Sequence, residues 1–111
     1  MVTAPLYRVK AEFFKTLGHP ARIRVLELLS EHERSVTELQ HEVGLESSHL
    51  SQQLAVLRKA GLVATRKQGT TVIYALSAPE VADLLALARH ILTDVLAGQI
   101  AVLDDLRASG A

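Results

Sequence analysis

At 111 residues the chain is one domain by length, near the lower end of the size at which a single apolar core suffices. Apolar residues make up 49% and aromatics 4% with no Trp, so the core has to be built from Leu, Val, Ile and Ala, which favours helices. The absence of Cys excludes disulfides, thiolate metal sites and cysteine redox switches, and a formal net charge of zero at first speaks against a nucleic-acid partner. No apolar run approaches the ~18 residues of a membrane span. The opening Met-Val-Thr-Ala-Pro lacks a basic stretch followed by an apolar one, so no signal peptide is expected and a cytoplasmic location is the default.

The first helix is expected from about Pro5 to Leu17, with Pro5 in its first turn and Val9, Phe13 and Leu17 recurring along one side. Gly18 stops it. His19 caps a second helix that opens on Pro20 and buries Ile23, Leu26 and Leu29, and the polar run at 30–34 reads as a loop. Ser35-Val36-Thr37-Glu38 has the form of a capping box. It introduces a short helix with Val36, Leu39 and Val43 inside and Gly44 at its end. A fourth helix, capped by Ser47 or Ser48, reaches about Ala60 and is closed by Gly61. Across Leu62–Leu76 the period changes to alternation, with Val72, Tyr74 and Leu76 on one face and Gln68-Gly69 between two strands, which makes a hairpin. A second capping box, Ser77-Ala78-Pro79-Glu80, opens a last helix extending to about Arg107.

Two short helices joined by a Gly-containing turn and followed by a basic hairpin have the order of a winged helix-turn-helix. The fold class expected is therefore mainly α with a small β-hairpin wing: four helices, the hairpin, then one long helix. The chain reads as a single domain over 1–111, with the helix-turn-helix at 35–60, the wing at 62–76, and helices at 5–17 and 78–107 left for dimerisation.

Charge distribution reverses the first impression from net charge. Met1–Ser77 carries ten Lys/Arg against seven Asp/Glu (+3), and the remainder two against five (−3). Ser47–Pro79 holds Arg58, Lys59, Arg66 and Lys67 and no acid, a block suited to phosphates. With Leu50, Leu54 and Leu57 of the fourth helix turned to the core, its opposite face carries Ser48, Gln52, Ala55 and Lys59. His49 and Val56 flank that face on one side, Ser51 and Arg58 on the other. Small and amide side chains fit a major groove, where Gln52 or Gln53 can pair with an adenine edge and Ser hydroxyls can bond bases or phosphates. The free amides of the helix start favour a phosphate. At the hairpin, Arg66, Lys67, Gln68, Thr70 and Thr71 would lie along phosphates or reach the minor groove; the bland alternative is a solvated edge protected by cations. The residues assigned to DNA are Thr37, Ser47, Ser48, His49, Ser51, Gln52, Gln53, Arg58, Lys59, Arg66, Lys67, Thr70 and Thr71.

The last helix carries one apolar stripe of Val81, Leu84, Ala88, Ile91, Val95, Val102 and Leu106, and beside it a second of Leu85, Leu92, Leu96 and Leu103. So small a domain cannot cover both, and a second copy is the economical partner. Leu6, Phe13, Leu84, Ala88, Ile91, Leu92, Val95 and Val102 are the interface residues expected. Gly98 marks a close approach or a break.

In Phe14–Leu26, Ser35–Leu39, Leu50–Val63, and Arg66-Lys67-Gln68-Gly69 before Tyr74, the chain resembles the ArsR/SmtB transcriptional repressors over nearly its whole length. Its long Cys-free opening, with Leu6-Tyr7 ahead of Lys10–Lys15, is similar to an actinobacterial subgroup that includes a mycobacterial regulator associated with a formate hydrogenlyase locus. The resemblance implies a homodimer that binds an inverted repeat near its own promoter through double-stranded DNA contacts, with the first and last helices at the interface. Gln52 stands where many members have His. The family's metal sites are not matched: thiolates are missing, and on the last helix Asp83 is followed by Leu85 where a His is required, with Leu96 and Gln99 at the later positions. No cofactor or metal is expected, and His90 with Asp94 reads as a surface pair, an atypical site with Asp83 being the alternative. A winged-helix protein-interaction module is the second functional reading. An enzyme is a distant third, since no catalytic constellation can be assembled.

Overall fold

The computed structural model describes residues 4–109. Five helices and three strands follow in the order α1 (Leu6–Leu17), α2 (Pro20–Glu31), β1 (Arg34–Ser35), α3 (Val36–Val43), α4 (Ser47–Lys59), β2 (Val63–Gln68), β3 (Thr71–Leu76) and α5 (Glu80–Ala108). The expected winged helix-turn-helix is present with one strand more than the hairpin. β1 pairs antiparallel with β3, placing Arg34 opposite Tyr74 and Ser35 opposite Ile73, so the sheet runs β1-β3-β2. The chain divides into two compact units at Val81/Ala82.

In the first unit the core is aliphatic, as the composition requires. Leu26, Leu39, Leu50, Leu54, Leu57 and Val25 are fully enclosed, with Leu17, Ala21, Leu28, Leu29, Leu62, Val63 and Val81 around them. α2 buries more than the expected stripe: Val25 and Leu28 are inside as well, and Ile23 is only half-buried. Its N-terminus is organised as the sequence suggests, Pro20 at the first position and His19 accepting from the Ala21 amide through Nδ1 at 3.1 Å.

Of the polar run at 30–34 only His32 and Glu33 are a connection between elements. Ser30 and Glu31 complete α2, and Arg34 is among the most buried residues of the chain, 5% exposed. The guanidinium is taken inside because it has partners on three sides. Its Nε donates to the Leu28 carbonyl at 3.1 Å, a group in the last turn of α2 whose helical donor, the His32 amide, stands at 3.5 Å. One terminal nitrogen pairs with Glu31 at 2.6 Å and the other with Glu42 of α3. Alternation of polar letters did not reveal this, because the partners come from two other elements, α2 and α3.

The Ser35 capping box is complete. Ser35 Oγ accepts from the Glu38 amide and Glu38 Oε1 accepts from the Ser35 amide, both at 3.1 Å. These bonds from Ser35, backbone first and hydroxyl second, hold the Glu38 carboxyl below its ordinary value of 4.5. A lowered folded pKa adds stability that is fully present above that ordinary value and disappears as pH falls through the folded one. The α3 start should therefore loosen on acidification below about pH 4.5, and Glu38→Gln should remove that dependence. The check is a carboxyl titration by NMR, in which a Glu38 midpoint at or above the ordinary value would refute the assignment.

Two expected N-caps differ in detail. α4 begins at Ser47 with Glu46 as its N-cap and no side-chain cap, so neither Ser47 nor Ser48 holds that role; Ser48 Oγ instead donates to Glu46 Oε1 at 3.1 Å. α5 begins at Glu80, three residues after Ser77, so the second box does not open it. At the other end of α4, Gly61 (φ +79°) directs its amide to Arg58 O while Leu62 N–H reaches Leu57 O, both at 3.0 Å. This is a Schellman closure, and it needs the positive φ that only Gly adopts at little cost. It also turns the chain directly into β2.

The hairpin loop is Gly69-Thr70, one residue later than expected, with Gln68 and Thr71 still paired. In the second unit, α5 spans 29 residues, about 43 Å at 1.5 Å per residue. Beyond Leu85 every described side chain on it is exposed. Its most apolar 18-residue window has mean hydropathy 1.3, enough by length and composition to cross a membrane. The expectation that no stretch reaches that length counted unbroken apolar runs, whereas this window admits charges. Arg89 and Asp94 near its middle would each cost ~2.5–3.5 kcal/mol at a bilayer centre.

Candidate nucleic-acid interface

α3 and α4 are joined by Gly44-Leu45-Glu46, and Gly44 takes the left-handed conformation (φ +75°) that ends α3 and reverses the chain. With Leu50, Leu54 and Leu57 anchored inward, α4 leaves Ser47, Ser48, His49, Ser51, Gln52, Ala55, Val56, Arg58 and Lys59 exposed, as the projection requires. Thr37 is exposed on the first turn of α3, and Arg66, Lys67, Thr70 and Thr71 are exposed on the hairpin. Gln53 is different. It is half-buried, and its Oε1 is enclosed without a hydrogen-bond partner, so its acceptor does not belong to the open face.

Tertiary folding brings part of this set together. Ser51, Ala55, Arg58 and Lys59 of α4 line a depression of about 360 Å³ with Val36 at the start of α3 and Tyr74 of β3. Helix and hairpin thus share one concave surface with two cations on its rim, a shape that a phosphate backbone can follow. Arg58, Lys59 and Lys67 have no ion-pair partner among the described residues, whereas Arg66 is paired with Glu33 and donates to Gln68 Oε1 at 3.2 Å. The acid-free block of the sequence is therefore not acid-free in space. At the head of α4 the Glu46 carboxylate stands beside Ser48, which favours the helix dipole but opposes a phosphate at that end. Sequence reasoning missed Glu33, Glu46 and Tyr74; β1–β3 pairing and a carboxylate N-cap leave no local pattern.

The residues expected at an interface divide as follows. Leu6, Ala88, Ile91, Leu92, Val95 and Val102 are exposed, and Phe13 and Leu84 are half-buried. Among the described residues, thirteen of the fourteen exposed large apolar side chains lie on α1 and α5, which is where uncovered apolar surface concentrates. His90 Nε2 lies 3.7 Å from Asp94 Oδ2, both well exposed, as a surface pair one helical turn apart. Among the described residues no group of three or more His, Asp or Glu converges as metal ligands do.

The model of the bacterial regulatory protein ArsR family matches residues 19–65, from the cap of α2 into β2. Over 112 aligned residues the chain is 62% identical to the HTH-type transcriptional regulator Rv0081 of Mycobacterium tuberculosis, covering 100% of this chain and 98% of that one. The crystal structure of Rv0081 superposes with a TM-score of 0.82 over 88% of this chain and 99% of the other. The biofilm growth-associated repressor of Xylella fastidiosa is 41% identical over 75 residues, 68% of this chain and 66% of its own. A homodimeric winged helix-turn-helix DNA-binding domain from Mycobacterium bovis is 28% identical, with TM-score 0.71 over 85% of this chain and 92% of that domain. Fold, the exposed face of α4 and these likenesses agree, and the chain belongs to the ArsR family of bacterial regulatory proteins as a DNA-binding winged helix-turn-helix transcriptional regulator and not an enzyme.

Proposed function

We propose that the protein acts as a homodimeric repressor on an inverted-repeat operator, that of its own gene included. The observation that carries this reading is the exposed α4 face of Ser51, Gln52, Ala55 and Lys59, continuous with the cationic rim shared with the hairpin. α4 enters the major groove with Gln52 on a base edge and Ser48, Ser51 and His49 beside it. Arg58, Lys59 and Lys67 neutralise phosphates, with Thr37, Ser47, Thr70 and Thr71 at the margins. Two such heads one helical turn apart match a palindrome, and uncovered apolar surface on α1 and α5 is suited to hold them. The homodimeric state of the M. bovis domain and the repressor named from Xylella support the assembly and the sign of regulation. On this reading the chain is a single functional domain that works on the nucleoid in the cytoplasm. The residue types at the family's usual sensing positions leave no thiolate or Asp/His metal switch.

Gln52→Ala should lower specific affinity by ~1–3 kcal/mol and flatten discrimination between base pairs, if the contact is bidentate. Lys67→Ala should instead weaken every sequence alike and reduce the salt slope by roughly one unit. Footprinting and fluorescence anisotropy on DNA immediately upstream of the gene measure both. Wild-type binding left unchanged by both substitutions would remove α4 and the hairpin from the interface.

A further inference from the structure

Four cations stand on α4 and the hairpin, and among the described residues only Arg66 is already matched by a carboxylate. Its partner Glu33 is 33 positions earlier in the chain and directly precedes β1. The register explains how they meet. Arg66 lies opposite Ile73 on β3, and Ile73 lies opposite Ser35 on β1, so the three form one row across the sheet. Glu33, two residues before Ser35, continues the same alternation. Neighbouring strands are about 4.8 Å apart, so the pair spans β3 only with both side chains extended over it. The Arg66 guanidinium is thereby drawn over the sheet toward β1, and Gln68 Oε1 accepts from its second terminal nitrogen at 3.2 Å. Lys67, one residue on, belongs to the opposite face of the alternation and has no carboxylate partner among the described residues.

We infer that Glu33 sets DNA affinity by competing with phosphate for Arg66. This inference rests on the DNA-binding reading above. A phosphate needs the same terminal N–H groups that Glu33 and Gln68 occupy, because bidentate recognition uses neighbouring donors of the guanidinium fork. The pair is half-exposed on both sides, 51% and 47%, so it has the modest strength of a surface ion pair, and while it holds, Arg66 stays off the phosphates. Glu33 thus lowers affinity and takes one cation out of the salt dependence.

The test compares wild type, Glu33→Gln, Arg66→Gln and the double variant on duplex DNA from immediately upstream of the gene, by anisotropy at several salt concentrations. Glu33→Gln should bind about two- to fivefold more tightly, the range a surface ion pair spans. The slope of log affinity on log salt should steepen by roughly 0.9, one phosphate contact. The gain should vanish in the Arg66→Gln background. Glu33 is on the surface, so melting temperatures should agree across the set. Equal or weaker binding by Glu33→Gln, or a gain that persists without Arg66, would overturn the competition while leaving the DNA reading intact. A wild type with no salt-dependent binding to this DNA would overturn both.

Discussion

In the homodimer proposed above, Ile91→Asp, alone and with Leu92→Asp, should give a monomer at micromolar concentration and abolish operator binding with it. Ile91 and Leu92 stand on the two apolar seams of α5, each more than half exposed in the single chain. A helix of this length with no covered face gains little from its own hydrogen bonds, and most helical stability in proteins comes from packing an apolar face. In a two-fold dimer each substitution enters twice. An unpaired carboxylate taken into an apolar contact costs several kcal/mol, so two of them weaken dimerisation by at least about a thousandfold. Operator affinity falls because a monomer contacts one half-site only. Sedimentation velocity measures the mass, and the thermal transition of the first unit serves as the control. A mass that stays dimeric with both seams charged would move the interface away from α5.

Arg34→Ala should be the most damaging single truncation of a polar side chain, at about 2–4 kcal/mol. The residue is 5% exposed and joins three elements: the Leu28 carbonyl and Glu31 on α2, and Glu42 on α3. Truncation removes the shorter of the two bonds to the Leu28 carbonyl and both carboxylate pairs, a loss of ~1–3 kcal/mol, and takes an aliphatic stem from the space between α2 and α3. For a domain of this size each kcal/mol corresponds to roughly 4–8 °C, so a melting temperature lower by on the order of 10 °C is expected. Arg34→Met separates the two causes. It restores the stem and not the donor, and should recover part of the loss. A melting temperature for Arg34→Ala within about 2 °C of wild type would refute the clamp.

Both substitutions touch what was least legible in the sequence. The helices were legible because their signals are local: Pro20 after His19, the Ser35–Glu38 box, Gly44 and Gly61 past the ends of α3 and α4. So was the outward face of α4, since three inward leucines fix the rotation of a helix and with it every outward position. β1 was not. Two residues cannot display a period, and Arg34-Ser35 become a strand only because β3 offers them its free edge. The same holds for Gln53, whose position between Leu50, Leu54 and Leu57 puts its acceptor out of solvent although the letter suggested a base contact.

By itself, then, the amino-acid sequence determined the order of helices and hairpin, the aliphatic core, the outward face of α4 and the missing ligands for the family's metal switches. All of these follow from periodicity, capping chemistry or residue type, which act over a few positions. Tertiary structure decided which charges remain available. It buried Arg34 between Glu31 and Glu42, and it brought Glu33 across β3 onto Arg66, so a stretch without acids acquired one from 33 residues away. Electrostatic partnership depends on distance in space, and strand pairing sets that distance after the local rules have done their part.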